Sequence, residues 1–155
     1  MNRAEFLATQ FSSLISGNNW CGVNFSETLK NLSWQQATQK TTTLHSISEL
    51  VFHLNYYASA VLSVLEGKPL DAHDKYSFDC PVIDSEEKWQ HQKSVFFSTA
   101  EKFGLAVKMM PDKQLDLVFS LEKYGLYQKN IMGIIEHGYY HLGQIVLIKK
   151  TMGFN

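Results

Sequence analysis

Three histidines carry the chemistry that this chain can offer: His53, and the pair His137-x-x-x-His141 near the C-terminus. Residues four apart on a helix lie about 40° apart on the wheel and about one turn apart along the axis. In a helical segment, His137 and His141 therefore present their rings side by side. Two imidazoles so placed can reach one small divalent ion at about 2.0–2.1 Å. A third from a facing helix completes a tripod with positions left open to water or substrate, the mark of a catalytic rather than a structural site. An ion held in this way can acidify a bound water towards neutral pH and keep a bound thiol as thiolate. The same three residues could instead be half-buried histidines bonded to carbonyls or tyrosines. Spacing alone leaves both readings open.

Other metal chemistries fit less well. A ferritin-like di-iron site needs Glu-x-x-His on two helices with further carboxylates, and Glu136 directly precedes His137 and so points elsewhere. Zinc proteases need a glutamate after the first histidine, where this chain has Gly138. No Gly-x-Ser-x-Gly elbow or phosphate loop is present, and no side chain stands out as a general base. The expected nucleophile is therefore a water or thiol on the metal. Glu49, one turn before His53, reads as a solvated acid at a helix start, with orientation of an imidazole as its other possible role. His45 belongs to the surroundings of that helix start, His73 to a loop that could lie above the site, and His91 to a solvent-facing helix surface.

Four long helices must position these residues. Apolar residues at Phe6, Leu7, Phe11, Leu14 and Ile15 predict a helix over 4–15, and Gly17-Asn18-Asn19 ends it. A short amphipathic helix over 23–32 starts at Asn24 or Ser26, and Ser33-Trp34-Gln35-Gln36-Ala37 opens one more turn. Ser46 with Glu49 three residues on is a capping box, with Leu44 as its staple residue. The apolar series from Ile47 to Leu65 follows, and Glu66-Gly67-Lys68-Pro69 stops it. Residues 70–82 form a long irregular crossover of the kind that often covers a site. Ser85-Glu86-Glu87 starts the third long helix, with a stripe of Trp89, Val95, Phe96, Thr99, Phe103 and Val107. Residues 115–119 read as a short extended piece. The last helix begins near Tyr127 and ends before Gly153, with Ile131, Ile134, Gly138, Ile145 and Ile148 as its buried stripe. Nothing else suggests a sheet, so the expected fold is all-α: a four-helix bundle with a long crossover between helices 2 and 3.

Size and charge narrow the class further. A chain of 155 residues suits a single domain, 1–155, with a sizeable core. A net charge of -1 gives no electrostatic case for nucleic acid or an anionic membrane. No apolar run reaches the roughly 18 residues of a membrane span, and the N-terminus does not read as a secretory signal. Cys21 and Cys80 fit no Cys-x-x-Cys pattern and are expected as free thiols in a cytoplasmic protein. Trp20, Tyr57, Trp89, Tyr139 and Tyr140 are expected in the core or on a dimer face rather than lining a pocket, and Tyr140, beside His141, is the first to test.

Four pieces together resemble the DinB-like (YfiT-like) superfamily of bacterial metalloenzymes. They are Asn19-Trp20-Cys-Gly-Val-Asn-Phe-Ser-Glu-Thr-Leu, His45-Ser-Ile-Ser-Glu-Leu-Val-Phe-His53-Leu, Leu65-Glu-Gly67, and Ile135-Glu-His137-Gly-Tyr-Tyr140-His141-Leu-Gly143-Gln144-Ile145. The last is similar to the family's His-x-x-x-His-x-Gly-Gln-Ile signature and is the most specific. The resemblance spans nearly the whole chain. It implies a four-helix bundle in which His53, His137 and His141 bind one divalent ion (zinc, nickel or iron), and a homodimer. It also implies a small-molecule substrate and a transferase or hydrolase activity. Relatives include S-transferases that use bacillithiol or mycothiol and a mycothiol-dependent maleylpyruvate isomerase. A non-catalytic, stress-response bundle with a structural ion is the alternative. One departure is Gly138, where relatives often carry a polar or acidic residue.

Overall fold

The computed structural model describes residues 1–41 and 45–154, so the Leu44 staple falls outside the described residues. Among them the chain is all-helical. Six α-helices follow in order: α1 (Arg3–Ile15), α2 (Phe25–Leu29), α3 (Trp34–Thr38), α4 (Ile47–Leu65), α5 (Glu86–Lys108) and α6 (Tyr127–Thr151). Short 3₁₀ turns at Asp74–Tyr76, Asp112–Asp116 and Glu122–Tyr124 punctuate the connections. The extended piece expected at 115–119 is instead the end of a 3₁₀ turn, followed by one isolated bridge between Val118 and Leu126.

The helix starts follow local chemistry. Ser46 and Glu49 form the expected capping box on α4, and Asn2 with Glu5 and Ser33 with Gln36 form two more. Each satisfies amide groups that the first helical turn would otherwise leave unpaired. Asn24 caps α2, which ends at Leu29 and is shorter than its apolar pattern suggests. A residue far along the chain completes the start of α1. The Asp112 carboxylate accepts the backbone N–H groups of Arg3 and Ala4, both at 3.0 Å, while the Arg3 guanidinium grips Asp116 at 2.7 and 2.8 Å.

The four long helices pack in a ring, α1 and α4 each lying against both α5 and α6. Their directions follow from which ends meet. Arg3 reaches Asp112 just beyond α5 while Phe11 meets Phe103 at 4.6 Å, so α1 and α5 are antiparallel. Arg3 also reaches Gln128, and Leu14 lies on Gly138, so α1 and α6 run parallel. The start of α4 lies beside the start of α5, where Gln92 donates to the Ser48 carbonyl at 2.8 Å. Past its far end, Glu66 is influenced by the Lys102 ammonium. Helices α4 and α5 are therefore parallel as well as consecutive. The chain between them must return the length of α4, 19 residues or about 28 Å at 1.5 Å per residue. That return is the long crossover.

The core is built from Phe11, Leu14, Phe25, Leu29, Ile47, Val51, Trp89, Phe103, Ile131, Leu142, Ile145 and Ile148 among others. Two apolar expectations, Phe6 and Val95, fail by register, and Trp20 falls outside the core. Phe6 is half exposed because Ala4, Leu7, Ala8 and Leu14 define the buried face of α1. Val95 is exposed while Lys93 takes the inward position on α5. Trp20 is fully exposed in its turn and is not a core residue.

Gly138 has a packing reason. A Cβ there would stand 2.4 Å from Leu14 Cδ2, and Leu14 is fully buried. At Gly143, on the exposed face of the same helix, a Cβ would meet nothing within 4 Å. Gly143→Ala should therefore stabilise the fold by about 0.5–1 kcal/mol through helix propensity. Gly138→Ala should destabilise it, overpacking costing about 1–3 kcal/mol against the same helical gain. Urea midpoints of the two variants with unchanged m-values decide it; equal shifts of the same sign would refute the close contact.

Candidate metal centre

The crossing of α4 and α6 brings the three histidines together. His53 Nε2 lies 3.1 Å from His137 Nε2, and His141 Nε2 lies 2.8 Å from the same atom. One ligand nitrogen from each falls within 4.8 Å of the others, and among the described residues no fourth His, Cys, Asp or Glu joins the group. His53 and His141 are buried and His137 is partly so.

The outer nitrogens show what the inner ones must be. His53 Nδ1 meets the Ser77 carbonyl at 3.3 Å. A carbonyl only accepts, so Nδ1 carries the proton and Nε2 presents a lone pair. His141 Nδ1 donates in the same way to Gln144 Oε1 at 2.6 Å, and Gln144 Nε2 in turn donates to the Tyr140 hydroxyl at 3.2 Å. Two lone pairs therefore point at His137 Nε2. Something positive must lie among the three nitrogens, either a proton on His137 Nε2 shared between two acceptors or a cation.

The group fits a divalent ion. Ligands at about 2.0–2.1 Å from a metal stand roughly 3.0 Å apart at right angles and roughly 3.4 Å apart in a tetrahedron. Two of the three separations, 2.8 and 3.1 Å, match the first value, and the third lies within 4.8 Å. Protonation is suppressed at all three rings. Burial, then the neighbouring His141 and His53, push His137 down to about 4. Burial also lowers His53 and His141, the latter against the Gln144 hydrogen bond. Neutral imidazole is the ligating form.

The crossover completes the site. Ser77 supplies the carbonyl on His53, and the next residue, Phe78, stacks on the His53 ring at 4.0 Å and 12°. The opposite face of Phe78 stacks on His45 at 3.9 Å and 8°. Tyr57 stands edge-on to His53 and His137 with its hydroxyl donating to Asp74 at 2.8 Å. Tyr56 donates to the His73 carbonyl and accepts the His73 N–H. Tyr57 also lines a cavity of about 540 Å³ with Val61, Leu70, Asp74, Phe119 and Asn130, a pocket position that its expected core role did not include.

The other expected residues fall where their chemistry allows. The Glu49 carboxylate is taken up by Ser46, Lys40 and His45, and so serves the start of α4 rather than the trio. His73 belongs to the crossover above Tyr56, and His91 is exposed. Tyr140 is largely exposed but touches the His141 ring edge-on at 4.9 Å. Cys21 and Cys80 are free. Ser77 and Phe78 left no sequence signal, since one acts through its main chain and the other through loop conformation. Gln144 did leave one: it stands three residues after His141, on the same helix face. Compared with known proteins, the chain matches no protein-family model, no curated protein and no solved structure.

Two outcomes follow from this geometry. An unfolded chain protonates its histidines below about pH 6.5, whereas folded His137 takes a proton only near 4. The unfolded state therefore binds more protons in that window, and stability falls as the pH drops from 6.5 towards 4. In metal-stripped protein, urea midpoints should fall more steeply between pH 6.5 and 5 for the wild type than for His137→Gln; parallel slopes would contradict the buried trio. Gln144→Ala, which frees the His141 tautomer, should weaken metal binding by roughly 10–100-fold in chelator competition, with the helical spectrum unchanged.

Proposed function

We propose that the chain is a metal-dependent enzyme of the DinB-like (YfiT-like) kind, a four-helix bundle whose His53, His137 and His141 hold one divalent ion. The observation that carries the reading is the convergence of three Nε2 atoms while the Nδ1 atoms of His53 and His141 are already bonded elsewhere. Imidazole donors suit zinc, nickel and iron alike. When bound, such an ion supplies Lewis acidity and lowers the pKa of a water or thiol ligand. The chain's own residues do the rest. Ser77 and Gln144 fix the two buried rings, Phe78 keeps water from one face of His53, and Tyr57 separates the trio from the neighbouring cavity. The favoured reaction class is transfer to, or hydrolysis of, a small-molecule substrate with a low-molecular-weight thiol, such as bacillithiol, or water as nucleophile. The resemblance in motif order also supports a homodimer.

Burial of His53 and His141 in the helical packing favours a second reading, in which the ion mainly stabilises the fold. Elemental analysis of untagged protein should find about one divalent ion per chain, lost in His141→Ala. Stoichiometric metal in that variant, or none in the wild type, rejects the site. In cobalt-substituted protein, added thiol should shift the visible absorption. An unchanged spectrum at saturating thiol, with a melting temperature that falls by several degrees on chelation, would favour the structural ion.

A further inference from the structure

Midway along α5 a lysine is buried without a close ion pair, the carboxylate of Glu86 acting on it only at longer range. Lys93 is only 9% exposed, and among the described residues its ammonium enters no ion pair. Its Nζ lies over the indole of Trp89, 5.5 Å from the ring centroid. That ring is fixed by its own N–H bond to the Leu32 carbonyl at 2.8 Å. A cation over an aromatic face regains part of its lost hydration, but an unpaired buried charge remains costly.

Lys93 opens into a cavity of about 250 Å³ between α2 and α5, which Ser26, Lys30, Gln90, Ser94 and Phe97 also line. Two lysines and two serines are among the residues that line it, and no acidic residue is. The nearby acids are occupied. Glu86 accepts the Trp34 N–H at 3.0 Å and the Gln90 amide at 2.5 Å, and Glu27 stands 3.8 Å from Lys30 outside the cavity. The cavity shares no residue with the histidine trio or with the cavity beside Tyr57.

We propose that this cavity binds a phosphate group, free or as a phosphomonoester, between the ammonium groups of Lys93 and Lys30 with the hydroxyls of Ser26 and Ser94 donating to its oxygens. The donor set matches the ligand. Lysine acts on phosphate as a point charge and hydroxyls complete its acceptor oxygens. Burial holds the Lys93 ammonium below its ordinary pKa, and a bound anion opposes that shift.

The test is a titration of the whole protein with inorganic phosphate and with phenyl phosphate at constant ionic strength, followed by amide chemical shifts around Lys93 and Ser94. A saturable shift at about 1–10 mM is expected, weakened roughly tenfold or more in Lys93→Met, which keeps the apolar stem over Trp89. Lys30→Met should weaken binding less, because its ammonium is largely exposed. His141→Ala should leave binding unchanged, which separates this site from phosphate held by a metal. Saturation by both ligands identifies the phosphate group itself as sufficient, and saturation by phenyl phosphate alone identifies a monoester. Equal binding by folded Lys93→Met, or no saturation with either ligand, overturns the proposal.

Discussion

Two ring nitrogens with lone pairs turned toward a third, each at hydrogen-bond separation from it, need a proton or a cation between them. This constraint organises the molecule. His53 and His141 face inward because their outer nitrogens are held by Ser77 and Gln144, and the trio exists only where α4 and α6 approach each other. Mutual repulsion and burial hold the rings neutral. A neutral His137 with its proton on Nε2 can donate fully to only one of the two facing lone pairs at a time. A divalent ion satisfies all three lone pairs at once.

The long crossover follows from topology before it serves the site. Parallel neighbours cannot be joined by a tight turn, so the chain after Glu66 must travel back along α4 to Ser85. It lies on the α4 face that carries His53, Tyr56 and Tyr57, and each of those side chains holds it by a hydrogen bond or a stack. A segment needed for connectivity thereby supplies the carbonyl that sets the His53 tautomer. The cavity beside Tyr57 is lined in part by the same segment, through Leu70, His73 and Asp74, and Tyr57 stands between it and the rings of His53 and His137.

Much of this was legible in the residues, and what was not has a physical reason. Capping boxes and apolar periodicity located the long helices, because those signals are local and the helices obey them. Spacing put His137 and His141 on one face, and the position of His53 on the second long helix brought it opposite. The neighbours of His53 were illegible because they come from an irregular segment, where no periodicity says which main-chain carbonyl will point inward. Register errors had another origin. Val95 and Lys93 are two residues apart on α5, and the wheel favours the apolar one; the structure buries the lysine stem against Trp89 and leaves Val95 at the surface. Gly138 read as a lost polar contact, whereas its cause is steric: Leu14 on α1 occupies the space a side chain would need.

Natural sequences are locally consistent with their folds, and departures concentrate where something other than stability has been selected. This chain departs in two places. At the α4–α6 crossing, two buried imidazoles and a partly buried one converge; on α5, an ammonium is buried with no ion pair among the described residues. The lysine lines a cavity, and the trio lies behind Tyr57, which lines another. Sealed polar groups can be explained by packing alone, since a core can hold a bonded histidine or a snorkelling lysine. The histidine trio has the donor geometry of a resident ion, with the outer nitrogens of His53 and His141 anchored. The lysine cavity, with one flexible exposed arm in Lys30, has the looser construction of an exchangeable ligand.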